Sequence, residues 1–217
     1  MKILDIYEDV MGEDYPTTWN IEQFAALRSF AERQRYCEQH LQRISSGSGR
    51  IAYKVDNEKV LKLAKNRKGI AQNEVEIQYG NERYFSNIVA QIYEYHNDAL
   101  WVEMELARKV SPSVFKKIVG VDILTFSLYL RNQTAENRGR KAYFSIDPEV
   151  KEFLDNSEFA NDVMDFLMSS DSDSGDLGRL SSWGLVNRGG SDSLVIVDYG
   201  LTQGVYDTHY NKRRIKY

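Results

Sequence analysis

Residues Lys59–Glu76 read KVLKLAKNRKGIAQNEVE, and the assignment of the fold turns on this stretch. Its first half, Lys59–Lys65, is a strand-like run with Val60, Leu61 and Leu63 apolar and one lysine, Lys62, set inside. A strand sends successive side chains to opposite faces, so Leu61 and Leu63 face one way and Val60 and Lys62 the other. An ammonium held against an apolar face needs a partner, because burying an unpaired charge is costly. Helical spacing follows over about Ile70–Tyr79, and Glu74 is the natural partner, with Glu76 and Glu103 as rivals. A lysine snorkelling to solvent at a sheet edge is the ordinary alternative.

Upstream, Leu41–Ser45 and Ile51–Val55 read as strands around the turn Ser46-Gly47-Ser48-Gly49. Glycines there let backbone N–H groups approach a phosphate closely, although a plain hairpin turn has the same look. A Walker-type loop is excluded, since no Gly-Lys-Ser/Thr leads into a helix. Downstream, Asn87–Tyr95 and Leu100–Leu106 are two more strands, joined at His96-Asn97-Asp98. Three strands, one helix and two strands predict an α+β unit: a five-stranded antiparallel sheet carrying a single helix. Ahead of it, Thr17 and Thr18 precede a helical pattern from Trp19 to about Gln42, expected to pack on the outside of the sheet.

The second half is more helical. Pro112–Gly120, Asp122–Leu130, Pro148–Leu154 and Glu158–Met168 have helical character, whereas Arg131–Arg140 is polar and expected as a loop. Ser169–Gly175 is low in complexity and expected to be flexible. Trp183–Val186 and Leu194–Val197 predict a hairpin, which ends on Asp198-Tyr199-Gly200. An apolar strand that delivers a carboxylate at its end suits a magnesium ligand, and an aspartate opening a turn is the commoner use. The expected organisation is a helical extension over 1–40, a sheet-rich lobe over 41–107 and a reduced helical lobe with a basic tail over 108–217.

Composition narrows the chemistry. The chain has 217 residues, 42% of them hydrophobic, and a net charge of −4. The net negative charge disfavours a nucleic-acid partner, because such binding rests on neutralising phosphates. Cys37 is the only cysteine, which rules out an intrachain disulfide, and the three scattered histidines lack the paired spacing of a zinc site. No apolar run reaches the roughly 18 residues of a membrane span, and MKILDIYEDVMGEDY lacks the apolar core of a signal peptide. A cytoplasmic protein is expected. The N-terminal helix and the basic tail Lys212, Arg213, Arg214 and Lys216 are the natural places for a protein partner.

Taken in order, these pieces resemble the signature set of the protein kinases. Ser45–Val55 resembles the glycine-rich loop, with Ala52 at the roof of the adenine. Val60-Leu61-Lys62 resembles the strand with the phosphate-binding lysine, and Glu74-Val75-Glu76-Ile77 the helix whose glutamate pairs with it. Leu100–Ala107 resembles the last strand and hinge, with Met104 as gatekeeper and Glu105 to Ala107 against the base. Asp198-Tyr199-Gly200 resembles the metal-binding Asp-Phe-Gly, and Ser174-Gly175-Asp176-Leu177 the segment with the catalytic base.

The resemblance implies a two-lobe kinase-like fold with a reduced, mostly helical large lobe. It implies ATP and Mg2+ as cofactors and phosphoryl transfer to a Ser/Thr-type acceptor or to the chain itself. Lys62, Glu74 and Asp176 would be catalytic; Gly47, Gly49, Ala52, Lys62, Met104, Glu105 and Ala107 would bind nucleotide; Asp198, Ser181 and Ser182 would hold metal. There are departures. Arg50 or Ala52 stands where a third glycine belongs, and Ser181 and Ser182 stand where the family has a metal-binding asparagine. The 17 residues after Gly200 leave no room for a peptide-substrate platform. A pseudokinase, binding nucleotide or a partner without transfer, is the alternative. Such compact kinase-like chains resemble those carried by bacteriophages.

Overall fold

The computed structural model describes residues 18–211. The basic tail, and Thr17 ahead of the first helix, lie outside them. Strands β1 (Gln42–Ser46), β2 (Arg50–Lys54), β3 (Lys59–Ala64), β4 (Ile92–Tyr95) and β5 (Trp101–Glu105) form one antiparallel sheet in the order β1-β2-β3-β5-β4. The expected α+β lobe is therefore present.

The sheet is covered on two faces, so β2, β3 and β5 are buried almost throughout, their charged residues included. On the outer face, Ile51, Tyr53, Leu61, Leu63 and Trp101 pack with Phe24 and Cys37 from helices α1 (Ile21–Ala25) and α2 (Phe30–His40). The single helix expected over Trp19–Gln42 is thus two. Ser29 starts the second: its hydroxyl accepts from the Glu32 N–H, and the Glu32 carboxylate accepts from the Ser29 N–H. That reciprocal capping box fixes a new helix start inside an otherwise continuous apolar pattern. Burial pushes the Cys37 thiol up to about 12, so it behaves as a core residue.

The other face looks into a cleft. Helix α3 (Arg67–Gly80) packs against β3, β5 and β4 and is capped by Asn66, whose side chain accepts from the Lys68 and Gly69 N–H groups and donates to the Ser48 carbonyl. Glycine is required at 69. A Cβ there would lie 2.1 Å from the Gly49 carbonyl oxygen, so the glycine-rich turn is seated directly on the first turn of α3.

The second half packs α4 (Pro112–Val119), α5 (Ile123–Asn137), α6 (Pro148–Asp155) and α7 (Glu158–Ser170) around Phe115, Phe126, Phe166 and Trp183. Helix α5 runs through most of the segment expected as a loop. Its polar residues are internally satisfied: the Thr134 hydroxyl donates to the Leu130 carbonyl, and the Asn132 amide bonds the backbone of Tyr143 and Phe144. Buried polar groups with partners are stable in a core, and composition does not reveal such partners. The expected flexible stretch Ser169–Gly175 instead ends α7 and begins α8 (Ser174–Leu177).

Strands β6 (Arg108–Lys109), β7 (Trp183–Arg188) and β8 (Ser191–Ile196) make a small second sheet, and α9 (Gln203–His209) returns against α3. Of the strand expected over Asn87–Tyr95, only Ile92–Tyr95 joins the large sheet. The preceding residues bond β8 instead: the Ile196 N–H donates to the Ile88 carbonyl, and the Ala90 N–H to the Ile196 carbonyl. This bridge ties the two halves together two residues before Asp198.

Gly69→Ala tests the seating of the glycine turn. Alanine in an exposed helix would stabilise by about 1 kcal/mol relative to glycine. Here the close contact reverses the sign, and urea denaturation is expected to show a loss of about 1–3 kcal/mol.

Candidate active site

The cleft encloses about 340 Å³ between sheet and helical lobe. Pairing register sets its roof. Ala52 stands opposite Lys62 on β2 and β3, and Val60 opposite Met104 on β3 and β5, so all four share the cleft face. Leu177 and Ile196 join Ala52, Val60 and Met104 in the lining, which gives the cavity an apolar part. The glycine turn, Arg50, Lys62, Asp176 and Asp198 give it a polar and charged part. The glycine turn is held from below. The Lys65 ammonium donates to the Gly47 carbonyl, and the Lys65 N–H to the Gly49 carbonyl.

Lys62 is 4% exposed and does not reach bulk solvent. Its ammonium bonds Glu76 Oε1 at 2.8 Å and stands 3.5 Å from Asp198 Oδ1. The partner is therefore Glu76, and the expected pairing with Glu74 is corrected. Helix geometry gives the reason. Asn73, Glu76 and Tyr79, spaced by three, are the buried face of α3, whereas Glu74 sits about 200° around the helix from Glu76 and is exposed. Glu103, the other rival, stays on the sheet and pairs with Lys59 at 3.2 Å.

Arg50 was weighed in the sequence only as a missing glycine, yet it is central to the site. It is 8% exposed, and one terminal nitrogen donates to Glu76 Oε2 at 2.7 Å and to Asn73 Oδ1 at 3.3 Å. The other terminal nitrogen donates to Asp198 Oδ1. The signal was present: Arg50 lies two residues from Ala52 on β2, so strand alternation aims both at the cleft. Two cations and two carboxylates thus close a ring of Lys62, Glu76, Arg50 and Asp198.

Asp198 is enclosed by the cleft walls while its side chain keeps 47% of its surface open to the cavity. Burial would raise its pKa, but Lys62 and Arg50 outweigh that and hold the carboxyl below the usual aspartate range. Its backbone is left-handed, with φ at 57°. A non-glycine residue there is uncommon and carries strain of about 1 kcal/mol or more, which the two cations hold in place. The next residues anchor it. The Tyr199 hydroxyl donates to the Ala90 carbonyl at 2.8 Å, its ring packs edge-on against Phe166, and a Cβ on Gly200 would lie 2.4 Å from the Gln72 carbonyl oxygen.

The other expected residues fall as follows. Gly47, Gly49, Ala52, Met104, Glu105, Ala107, Asp176, Ser181 and Ser182 all line the cavity; Glu74 does not. Asp176 carries a carboxylate 3.0 Å from Arg179. The Glu105 side chain bonds Arg188, at 3.1 Å from its Nε, and accepts from the Gln91 N–H, so it braces the end of β5. Arg188 ends β7, two residues beyond the strand expected over Trp183–Val186.

Of the expected magnesium set, Asp198 meets both of its cations at Oδ1, whereas the Ser182 hydroxyl is engaged elsewhere. Magnesium selects carboxylate and water oxygens in near-octahedral array. Asp198 already accepts from Arg50 and faces Lys62, and the Ser182 hydroxyl donates to the Asp176 carbonyl at 2.6 Å. Among the described residues no three His, Cys, Asp or Glu side chains converge as a metal group.

No protein-family model matches the sequence, and no curated relative matches it. Among solved structures, the chain is similar to that of the GDP and kanamycin complex of APH(2")-IIia. The identity is 15%, over 75% of this chain and 67% of that one, with a TM-score of 0.36. The likeness is distant, and the chemistry of the cleft is read from its own residues. No helix among the described residues is long and apolar enough to cross a membrane.

Two outcomes check the ring. Glu76→Ala strips the shared counter-charge from two buried cations and is expected to cost about 3–5 kcal/mol in urea unfolding. Glu74→Ala, on the exposed face, should stay within about 0.5 kcal/mol. Asp198 binds its proton more weakly folded than unfolded. Its stabilising contribution is therefore full above the ordinary aspartate pKa of about 3.9 and is lost as pH falls through the lower folded value. The stability gap between wild type and Asp198→Asn should narrow over that acid window.

Proposed function

We propose that the chain is a protein-kinase-like nucleotide-binding protein that transfers the terminal phosphoryl group of ATP to a hydroxyl acceptor. The observation that carries this reading is the convergence of Lys62, Glu76 and Asp198 at a cavity that also has an apolar lining. A flat base suits the apolar lining of Ala52, Val60, Met104, Leu177 and Ile196. The polyphosphate then lies beneath the glycine turn, where Lys62, steadied by Glu76, neutralises its charge. Phosphoryl transfer depends mainly on positioning and charge stabilisation, which such a site supplies. Asp176 is the carboxylate placed to receive the acceptor's proton, once its Arg179 partner yields. Ser/Thr-type hydroxyls, on another protein or on this chain, are the acceptor class.

A second reading, nucleotide binding without transfer, is favoured by the engagement of Asp198 with Arg50. The two separate in one assay. Wild-type protein incubated with γ-labelled ATP should take up or transfer label, and Lys62→Ala should reduce this by about 100-fold or more. Absence of label together with thermal stabilisation by ATP supports the second reading. Absence of both overturns the nucleotide site.

A further inference from the structure

Strand β7 touches the lining of the cavity at three places. At its last residue, the Arg188 guanidinium donates to both oxygens of the Glu105 carboxylate, through Nε at 3.1 Å and through a terminal nitrogen. It also donates to the carbonyls of Ser86 and Val89, in the chain that enters β4. Further along, Leu185 pairs with Arg108, and Gly184 passes so close that a Cβ on it would lie 2.4 Å from the Ala107 methyl. At the first residue of the strand, the Trp183 indole N–H donates to the Leu177 carbonyl at 2.7 Å. Glu105, Ala107 and Leu177 all line the cavity, whereas Arg188 stands behind the lining and acts through Glu105.

We infer that Arg188 is a positioning residue for the nucleotide base. This rests on the nucleotide reading of the cleft. The chain leaving β5 carries Glu105 and Ala107 past the apolar part of the cavity, and a base held there needs that backbone in a constant place. Glu105 is 8% exposed, so its charge has little water to turn to and depends on its partner. A carboxylate gripped by a planar fork is fixed in orientation as well as in distance. The same guanidinium takes in Ser86 and Val89, which joins the end of β5, the chain entering β4 and β7 at one point. Lysine would supply the charge there without the fork. Lys62, Arg50 and Glu76 come from β3, β2 and α3 and share no bond with this joint. Loosening it therefore acts on the base and leaves the polyphosphate contacts in place.

Calorimetric titration of the intact chain with ATP, GTP and UTP tests the inference, since the three share a triphosphate and differ in the base. Wild type is expected to bind the better purine nucleotide about tenfold or more tightly than UTP. Arg188→Lys should bring that ratio within about threefold, by weakening the purine nucleotide and leaving UTP nearly unchanged. A preference that stays the same in the variant, whether the affinities fall together or not at all, makes Arg188 a structural residue only and overturns the inference. Wild type that binds all three alike also overturns it and leaves the nucleotide site standing. No binding of any of the three by wild type overturns both. Glu105→Gln carries the same comparison where Arg188→Lys fails to fold. It keeps an oxygen for the Gln91 N–H and loses the charge that holds the fork.

Discussion

Glu76 is the constraint on which the rest of the molecule depends. It is fully buried and ionic, and an isolated carboxylate in that position would be prohibitively costly. Its two oxygens are taken by different cations, Lys62 from β3 and Arg50 from β2. Helix α3 can therefore dock in only one rotation and one height, and the two central strands must run in their observed register. A buried pair of this kind adds little net stability compared with apolar residues of the same volume. What it supplies is uniqueness: any slip of helix or strand leaves a charge without a partner.

That single demand propagates outward. Docking α3 against the sheet brings Gly69 beneath Gly49, so the turn over the cleft cannot drift. It also sets Gln72 where only a glycine at 200 fits, which draws the end of β8 inward and presents Asp198 to the same two cations. Site and fold are here one set of contacts. The apolar lining is less demanding, since Ala52, Val60 and Met104 need only the strand alternation already fixed by register.

Much of this could be read in the sequence where a local rule governs. Strand alternation around Lys62 correctly separated the cleft face from the face carrying Leu61 and Leu63, and turn residues marked the sheet's hairpins. The failures share a cause. Glu74 and Glu76 are indistinguishable until the helix is rotated against the sheet, and only the spacing of Asn73, Glu76 and Tyr79 tells them apart. The helix through Thr134 and Asn132 was hidden because Thr134 bonds back to the Leu130 carbonyl and Asn132 bonds the backbone of Tyr143 and Phe144, neither of which composition reveals. Arg50 was discounted by comparison with a glycine pattern, although its alternation with Ala52 already aimed it at the cavity. Ser29 broke one helix into two through a capping box that the surrounding apolar spacing masked.

The bonds between Ile88, Ile196 and Ala90 bear on how the halves of the molecule move. Two-lobed proteins commonly open like a jaw about a flexible connector, and the groups on opposite jaws then separate. Here β8, which leads to Asp198, is laced on one side to the chain entering β4 and on the other to β7, whose Trp183 donates to the Leu177 carbonyl, so both halves hold the approach to this carboxylate. Opening of the jaw kind would have to break one of these two sets of bonds, each bond contributing about 1 kcal/mol.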